Sequence, residues 1–279
     1  MTKNDQDTLS TQIINRALEY GGSLAGIARI EDLKKSPSHT AYGVMPEFNG
    51  VGTIKVEGEK QVQVQWPDEA RSAVVIAVAH AIEKPELDWW ISGLKGGTMG
   101  NAKLISVFLR LADWLETEKQ IHCFKLPYHI ENGAVFMKDA AVLGGLGCIG
   151  KNNMLVSPEF GPRIRLRVML MNVDLPSTGI ADFDPCADCR VYCKKICPQK
   201  AFERKIYSQE QFKRPEMPGR TGGYNRICCN IQMEKERKNG KMVAIKKNTS
   251  RYEIRHCRRC ELTCPVGSKA TSASGSYAD

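Results

Sequence analysis

Two cysteine-rich runs constrain this sequence more than any other feature. The first run is Cys186-x2-Cys189-x3-Cys193-x3-Cys197-Pro198, and the second is Cys257-x2-Cys260-x3-Cys264-Pro265. Thiolates at this spacing, with a last cysteine followed by proline, are typical of paired [4Fe-4S] clusters, in which the cysteine before proline binds the other cluster of the pair. The sequence therefore predicts a double-cluster module that wraps both runs around iron and sulfide.

The same rule assigns the cluster ligands. The first cluster takes Cys186, Cys189, Cys193 and Cys264. The second takes Cys197, Cys257, Cys260 and one further thiolate, which either Cys228 or Cys229 supplies from between the runs. Three residues separate Cys189 from Cys193 where the common bacterial run has two, so we expect a slightly larger loop around the first cluster.

Three other roles for these cysteines fit less well. A structural zinc site needs only four ligands and leaves the extra Cys-Pro of each run unexplained. Disulfides are disfavoured because no signal peptide precedes the cysteines, and clustered cysteines in a cytosolic chain usually bind metal. Covalent haem attachment requires a histidine directly after Cys-x2-Cys, and neither run has one.

The positive charge of the chain is concentrated on the cysteine-rich segment. Between Cys186 and Cys264 there are 20 Lys/Arg and 8 Asp/Glu, a net charge of +12, whereas the other residues sum to −3. Such a surface suits an acidic electron donor such as a flavodoxin or ferredoxin, or a nucleic acid, with a solvated basic face as the alternative. The polar N-terminus and the lack of an apolar run long enough to span a membrane predict a cytoplasmic protein with no membrane contact.

Hydrophobic periodicity predicts elements of both kinds. We expect amphipathic helices over residues 8–20 and 102–118, a helix ahead of Gly144, and a buried strand at 73–79. Further strands are expected at 23–30 and 164–170, the latter with Arg165 and Arg167 on its outer face. Residues 31–66 read as a long loop containing a short strand at residues 60–65.

A glycine-rich segment matches two nucleotide-binding patterns incompletely. Gly145-x-Gly147-x2-Gly150 has the dinucleotide fingerprint, but no strand is predicted before it and no helix after it. Gly145-x4-Gly150-Lys151 approaches a P-loop, but Asn152 stands where the magnesium-binding hydroxyl should be. The glycines instead predict a close backbone approach, either to a flat or amide-rich ligand or to a neighbouring strand.

In its glycine-rich and cysteine-rich segments together, the chain resembles the corrinoid-dependent iron–sulfur reductases, the group of epoxyqueuosine reductases and reductive dehalogenases. The similarity lies in residues 138–152, in the turn Ser157-Pro-Glu-Phe-Gly-Pro-Arg163 with its strand, and in the order of the cysteine runs. It implies an α+β protein with a nitroreductase-like, cobalamin-binding core over residues 1–178. A bacterial ferredoxin-like module with two [4Fe-4S] clusters would follow at 179–267, and a disordered tail at 268–279. A flavin is the alternative occupant of such a core.

The resemblance also implies site residues. The proton donor is expected at Glu131, where epoxyqueuosine reductases carry an aspartate, or at Tyr128, since dehalogenases use a tyrosine. The implied corrinoid contacts are Lys138, Gly145, Leu146, Gly147, Cys148, Ile149, Gly150, Lys151, Asn152, Asn153, Arg163 and Arg165. Between the two candidate thiolates, Cys229 is favoured because the segment after it resembles the one that follows this ligand in the family.

The implied function is a cobalamin-dependent reductase that passes electrons from a reduced donor through both clusters for a reductive elimination, of the epoxyqueuosine or dehalogenation type. Its substrate is a small molecule or is carried on tRNA. Two departures leave the activity open: Gly100-Asn101-Ala102 replaces an Asp-Tyr-His signature of epoxyqueuosine reductases, and their C-terminal helical repeats have no counterpart. The alternative is a redox relay that reduces or delivers a corrinoid to a partner protein.

Overall fold

The computed structural model describes residues 2–42, 62, 64–130, 132–203, 208–213, 215–246 and 249–268. The helices in these residues are α1 Lys3–Glu19, α2 Ile30–Lys34, α3 Pro37–Ala41, α4 Met99–Glu118, α5 Met137–Leu143, α6 Tyr192–Lys195, α7 Gln209–Phe212, α8 Arg226–Lys238 and α9 Arg259–Leu262. The strands are β1 Leu24–Arg29, β2 Ser72–Ala79, β3 Trp90–Ile91, β4 Cys123–Phe124, β5 Cys148–Ile149, β6 Leu155–Val156, β7 Ile164–Met171, β8 Lys241–Lys246 and β9 Thr249–Ile254.

A four-stranded antiparallel sheet forms the centre of the fold. Its order is β1-β2-β7-β4, so β2 pairs with β1 on one side and with β7 on the other. Seven of the eight residues of β2 are buried, because helices cover both faces of the sheet. The prediction of a strand at 73–79 buried on both faces is confirmed.

Alternate residues of β2 point into two separate hydrophobic layers. Val74, Ile76 and Val78 pack with α1 and α4 in one layer. Ala73 and Val75, on the opposite face, pack with α2 and α5 in the other. The period of two along β2 thus places helices on both sides of one sheet.

Side-chain hydrogen bonds cap the first turns of α1 and α4 and fix where these helices begin. The hydroxyl of Thr2 accepts a hydrogen bond from the Asp5 amide at 3.2 Å, and the Asp5 carboxylate accepts one from the Thr2 amide at 2.9 Å. This capping box starts α1 before the predicted residue 8. The predicted helix at 102–118 is confirmed as α4, which begins slightly earlier, after the side-chain cap of Thr98.

Two local predictions are wrong. Residues 31–41 do not form a loop, since they include most of α2 and all of α3; Pro37 starts α3 because its fixed φ suits the first turn of a helix. Arg165 and Arg167 do not face outward on β7, because both faces of the sheet are covered; the Arg167 guanidinium lies 5.5 Å from the ring of Phe108 on α4. Of the predicted strand at 60–65, residues 60, 61 and 63 lie outside the described residues; Val62 forms an isolated bridge with Asn132, and residues 64 and 65 are not in a strand.

A second sheet joins distant parts of the chain. Its order is β3-β9-β8, so β3, from before the expected boundary at residue 178, pairs with β9 from the cysteine-rich part. The hairpin of β5 and β6 begins within the glycine-rich segment, at Cys148. None of the helices in the described ranges has the length and apolar character needed to cross a bilayer.

Candidate metal centres and cofactor cavity

One group of four cysteines lies where the two runs meet. Burial raises the pKa of Cys193, and the nearby thiols of Cys186, Cys189 and Cys264 raise it further. Burial also raises the pKa of Cys264, again with contributions from Cys186 and Cys189. Helices α6 and α9, which carry or flank these residues, pack against each other. These four thiols are the ones that the spacing assigns to the first cluster.

A second group forms around the start of α8. Burial raises the pKa of Cys260, and the thiols of Cys229, Cys257 and Cys197 add to the effect. Burial likewise raises the pKa of Cys229; a hydrogen bond with Tyr224 opposes this shift, and the thiols of Cys197 and Cys257 add to it. Each of these four thiols thus lies within electrostatic range of others in the group.

Cys228 and Cys229 are consecutive residues of α8, so their side chains leave the helix in different directions. Cys229 lines a cavity together with Cys257 and Cys260. Cys228 instead has its backbone amide capped by the Asn225 side chain at 3.0 Å, and its side chain leaves the helix about 100° away from that of Cys229. The geometry therefore favours Cys229 as the fourth thiolate of the second group.

Neither group is arranged around a single point. Across the residues that the structure describes, no three or more His, Cys, Asp or Glu side chains converge closely enough to hold one metal ion. A zinc site needs sulfurs at about 2.3 Å from one ion. A four-iron cluster binds each thiolate through a different iron, so its four sulfurs stand further apart.

A cavity of about 560 Å³ separates the second cysteine group from the central sheet. Its lining is mostly apolar, with Phe136, Leu155, Ile164 and Leu166 among the contributors. The polar residues that it receives from the N-terminal part are Ser38, Tyr128, His129, Lys138, Asn152, Asn153 and Arg165. The polar residues that it receives from the cysteine-rich part are Tyr224, Arg226, Cys229, Cys257, Arg258, Cys260 and Glu261.

Most of the glycine-rich segment packs against other parts of the protein and does not line this cavity. A Cβ added at Gly147 would clash with the carbonyl oxygen of Val156, and one at Gly150 would lie 2.7 Å from Val156 Cγ2 and 3.4 Å from Cys186 Sγ. Burial, followed by the nearby Cys186, raises the pKa of Cys148 to about 11. The segment thus packs on β6 and on the first cysteine group.

The remaining predicted contacts in this segment have other neighbours. Leu146 is buried in the hydrophobic layer of α5. The carbonyl of Ile149 accepts a bond from Arg220 at 3.4 Å, and Lys151 Nζ donates to the carbonyl of Ala187 at 3.1 Å. The residues Gly145, Leu146, Gly147, Cys148, Ile149, Gly150 and Lys151 lie outside the cavity lining, whereas Asn152 and Asn153 belong to it.

Lys138, at the start of α5, enters the cavity wall beside Asn153. Its Nζ donates to the backbone carbonyl of Asn153 at 2.5 Å and to its Oδ1 at 2.9 Å. Asn153 adopts a left-handed φ of 57°, a conformation that asparagine tolerates better than most residues. Burial lowers the pKa of Lys138 to about 8; Asp139 opposes the shift and Arg226 adds to it.

A buried ionic network crosses from the sheet to the cysteine-rich part. Arg165 Nη2 lies 2.6 Å from Asp88 Oδ1 and 3.0 Å from Glu261 Oε2. Arg258 contacts the same two carboxylates, each at 2.5 Å. His80 Nδ1 lies 2.8 Å from Asp88 Oδ1. Sequence reasoning identified only Arg165, since no motif marks partners this far apart in the chain.

Arg163, a predicted corrinoid contact, does not line the cavity. Its side chain is 1% exposed, and its guanidinium binds the carbonyl oxygens of Cys264 and Val266. It therefore connects the turn before β7 to the end of the second cysteine run.

Of the two predicted proton donors, only Tyr128 lies among the described residues. Tyr128 lines the cavity and is 36% exposed, with the Arg167 guanidinium 5.0 Å from its ring centre. Glu131 lies outside the described residues.

Comparisons with known proteins identify relatives of one kind. No family model matches the sequence. An epoxyqueuosine reductase from Lactococcus garvieae is 30% identical over 139 residues, which is 48% of this chain and 39% of that protein. One from Atelocyanobacterium thalassa is 30% identical over 165 residues, 58% of this chain and 47% of that protein. The chain therefore spans less than half the length of either curated relative.

Solved structures extend the similarity to nearly the whole chain. An epoxyqueuosine reductase from Streptococcus thermophilus aligns with a TM-score of 0.62 at 20% identity, covering 93% of this chain and 66% of that one. The Bacillus subtilis enzyme aligns with a TM-score of 0.59 at 18% identity, covering 95% and 66%. A reductive dehalogenase aligns over 68% of this chain with a TM-score of 0.44, which does not establish a shared fold. The chain is thus a distant sequence relative of the epoxyqueuosine reductases and shares their mixed α+β fold.

Proposed function

We propose that this protein is an iron–sulfur reductase that passes electrons from a reduced donor through two [4Fe-4S] clusters to a corrinoid in the cavity. The observation that carries the proposal is the position of the second cysteine group. Cys229, Cys257 and Cys260 lie in the wall of the cavity, whereas none of the four cysteines of the first group lines it. Electrons would therefore leave the second cluster directly into the cavity.

The residues of the cavity fit a cofactor of the corrinoid kind. Its volume of about 560 Å³ lies in the range of roughly 300–1,000 Å³ typical of ligand sites, and it is partly open to solvent, so a larger molecule can extend outward. The apolar walls of Phe136, Leu155 and Leu166 suit a macrocycle, and the amides of Asn152 and Asn153 suit its polar rim. A bound corrinoid would supply a low-valent cobalt able to deliver two electrons for a reductive elimination.

Each part of the wall has a distinct task. The apolar residues exclude water from the reacting centre. Arg165 holds its place through Asp88 and Glu261, so the wall keeps its shape without a ligand. Tyr128 carries a hydroxyl at the cavity and would supply a proton there, with Glu131 as the other candidate donor.

An acidic redox protein such as a flavodoxin or ferredoxin fits as the electron donor. The first cysteine group lies beside α6 and α9, where Arg190, Lys195 and Arg259 are exposed. These cations belong to the segment with a net charge of +12. Opposite charge would steer such a donor to the first cluster.

The function is tested by anaerobic reconstitution with iron, sulfide and cobalamin. We expect about eight irons per chain, retained corrinoid absorbance after gel filtration, and reduction of an epoxide, a halogenated compound or epoxyqueuosine-modified tRNA. A protein that binds both cofactors, reduces none of these, and transfers electrons to a separate corrinoid protein would be a relay instead. Failure to retain corrinoid would overturn the proposal.

The proton donor is tested in the same assay. Tyr128→Phe and Glu131→Gln each remove one candidate donor while changing few other atoms. We expect one of the two variants to lower turnover about 100-fold or more with unchanged iron and corrinoid content. If neither variant affects turnover, the proton comes from another group.

A further inference from the structure

Tyr224 lies where the cavity meets the second cysteine group. It lines the cavity together with Cys229. Its hydroxyl is hydrogen-bonded to the Cys229 thiol, and Cys260 lies within electrostatic range of the same hydroxyl. One phenol side chain is thus part of the cavity wall and of the surroundings of two predicted cluster ligands.

Neighbouring residues fix the position of this tyrosine. Its ring packs against the buried ring of Phe202, with the ring centres 5.7 Å apart. The amide of the next residue, Asn225, donates to the carbonyl of Ala201 at 2.7 Å. The Asn225 side chain caps the first turn of α8, the helix on which Cys229 lies. Tyr224 is therefore held between Phe202 and the helix that carries its thiol partner.

Both cysteine groups receive hydrogen bonds, but from different kinds of donor. In the second group, the amide of Ala201 donates to Cys197 Sγ at 3.4 Å. In the first group, backbone hydrogen bonds reach Cys193 and Cys264. Tyr224 adds a side-chain donor to the second group, and a substitution can remove this donor without changing the backbone.

The direction of the bond from Tyr224 follows from the chemistry of a cluster ligand. A cysteine that binds iron is a thiolate without a proton, so its sulfur accepts and the tyrosine hydroxyl donates. Reduction adds one negative charge to a cluster and its thiolates, so a donated hydrogen bond stabilises the reduced state more than the oxidised state. Hydrogen bonds to the sulfurs are among the factors that set the reduction potential of an iron–sulfur cluster.

We propose that Tyr224 is a positioning residue that acts through Cys229: its hydroxyl donates to the ligand sulfur and raises the reduction potential of the second cluster. The raised potential draws electrons from the first cluster toward the wall of the cavity. The inference rests on the proposed function for the presence of both clusters, and it deepens that function by assigning a residue that favours one direction of electron flow.

Two changes at Tyr224 alter the hydrogen bond in opposite directions. Tyr224→Phe removes the hydroxyl and keeps the ring that packs on Phe202. Site-specific replacement of Tyr224 by 3-fluorotyrosine keeps the ring and makes the hydroxyl a stronger donor. Tyr192→Phe is the matched control, because it removes the same group from an exposed position next to Cys193 on α6. All proteins are the full chain, reconstituted anaerobically with iron and sulfide, with their iron content measured.

The potentials of both clusters are measured by redox titration with electron paramagnetic resonance, without corrinoid or substrate. The signal that is lost in Cys229→Ser identifies the second cluster. In Tyr224→Phe we expect the equilibrium constant for reduction of this cluster to fall about tenfold, which is about 59 mV for one electron. The 3-fluorotyrosine protein should shift the same potential upward, and the first cluster should keep its potential in both proteins.

Tyr192→Phe should keep both potentials of the parent protein. A loss of packing alone would not give shifts of opposite sign, and the 3-fluorotyrosine protein decides the question even where Tyr224→Phe binds less iron. If both changes at Tyr224 keep the parent's potentials at normal iron content, or shift them in the same direction, the inference is overturned and the proposed function is unaffected. A parent chain that assembles no second cluster would overturn both.

Discussion

Arg163 fixes the backbone of Cys264: its Nη1 donates to the cysteine carbonyl at 3.1 Å. The other terminal nitrogen binds the carbonyl of Val266, and the whole side chain is buried. The residue that follows the Ser-Pro-Glu-Phe-Gly-Pro turn thus holds the last cysteine of the second run in position for the first group.

We expect Arg163→Met to lower the free energy of unfolding by about 3 kcal/mol or more, since two buried carbonyls lose charged donors. Iron should also be lost from the first cluster, because Cys264 is no longer held. Thermal unfolding and iron analysis of reconstituted protein provide the measurement. Arg110→Met, on the exposed side of α4, is the control; equal stability and iron content in both variants would contradict the role given to Arg163.

Cys228 and Cys229 form a natural pair for testing the second group. Cys229→Ser should reduce the iron content from about eight to about four per chain, because one cluster loses a ligand. Cys228→Ser should keep the full content, since its side chain leaves α8 in another direction. Iron and sulfide analysis with electron paramagnetic resonance of the reduced proteins distinguishes the two. The reverse pattern would move the ligand to Cys228.

Glu261 supports the buried ionic network from within the second cysteine run. It is 3% exposed and is bound by both Arg165 and Arg258. Glu261→Gln leaves two arginines with the single carboxylate of Asp88, so we expect a loss of about 3–5 kcal/mol in denaturant unfolding at equal iron content. The control, Glu234→Gln, breaks an exposed pair with Arg237 and should leave the unfolding midpoint nearly unchanged. Similar losses in both variants would rule out a structural role for the network.

His39 should make stability depend on pH. Burial lowers its pKa to about 4, although Asp139 opposes the shift, and its Nε2 accepts a hydrogen bond from the Phe136 amide at 3.1 Å. The unfolded chain has a pKa near 6.5, so folding favours the neutral ring. This contribution is fully present above pH about 6.5 and is lost as the pH falls toward about 4.

Replacing His39 by Gln, whose amide oxygen can accept the same bond, should remove up to roughly 3 kcal/mol of that pH dependence. Urea unfolding of the parent and the variant at several values between these limits gives the difference. Parallel curves for the two proteins would show that His39 does not titrate in this window.

Short-range patterns predicted the elements in which local chemistry and burial agree. The apolar run predicted β2 correctly, and the helical period of apolar residues predicted α4 correctly. In both elements the pattern of buried residues along the sequence follows the geometry of the element itself. Cysteine spacing predicted which thiols group together, since the rule for paired clusters relates the two runs directly.

Long-range pairing could not be read in this way. Asp88, Arg165 and Glu261 are ordinary charged residues in their local sequence, and only the fold brings the Arg165 guanidinium within 3.0 Å of both carboxylates. The glycines at 147 and 150 predicted a close approach but not its partner, which is Val156 in both cases. Glycine allows the backbone to come close to another group, but the tertiary fold determines which group that is.

The pairing of β3 with β9 has a consequence for how the chain is made. Trp90 and Ile91 leave the ribosome long before Glu253 and Ile254 are synthesised, so this small sheet can form only after the first cysteine run has already been synthesised. A shortened gene product that starts after residue 178 would lack β3 and leave one edge of β9 unpaired, which favours self-association over an independent electron carrier.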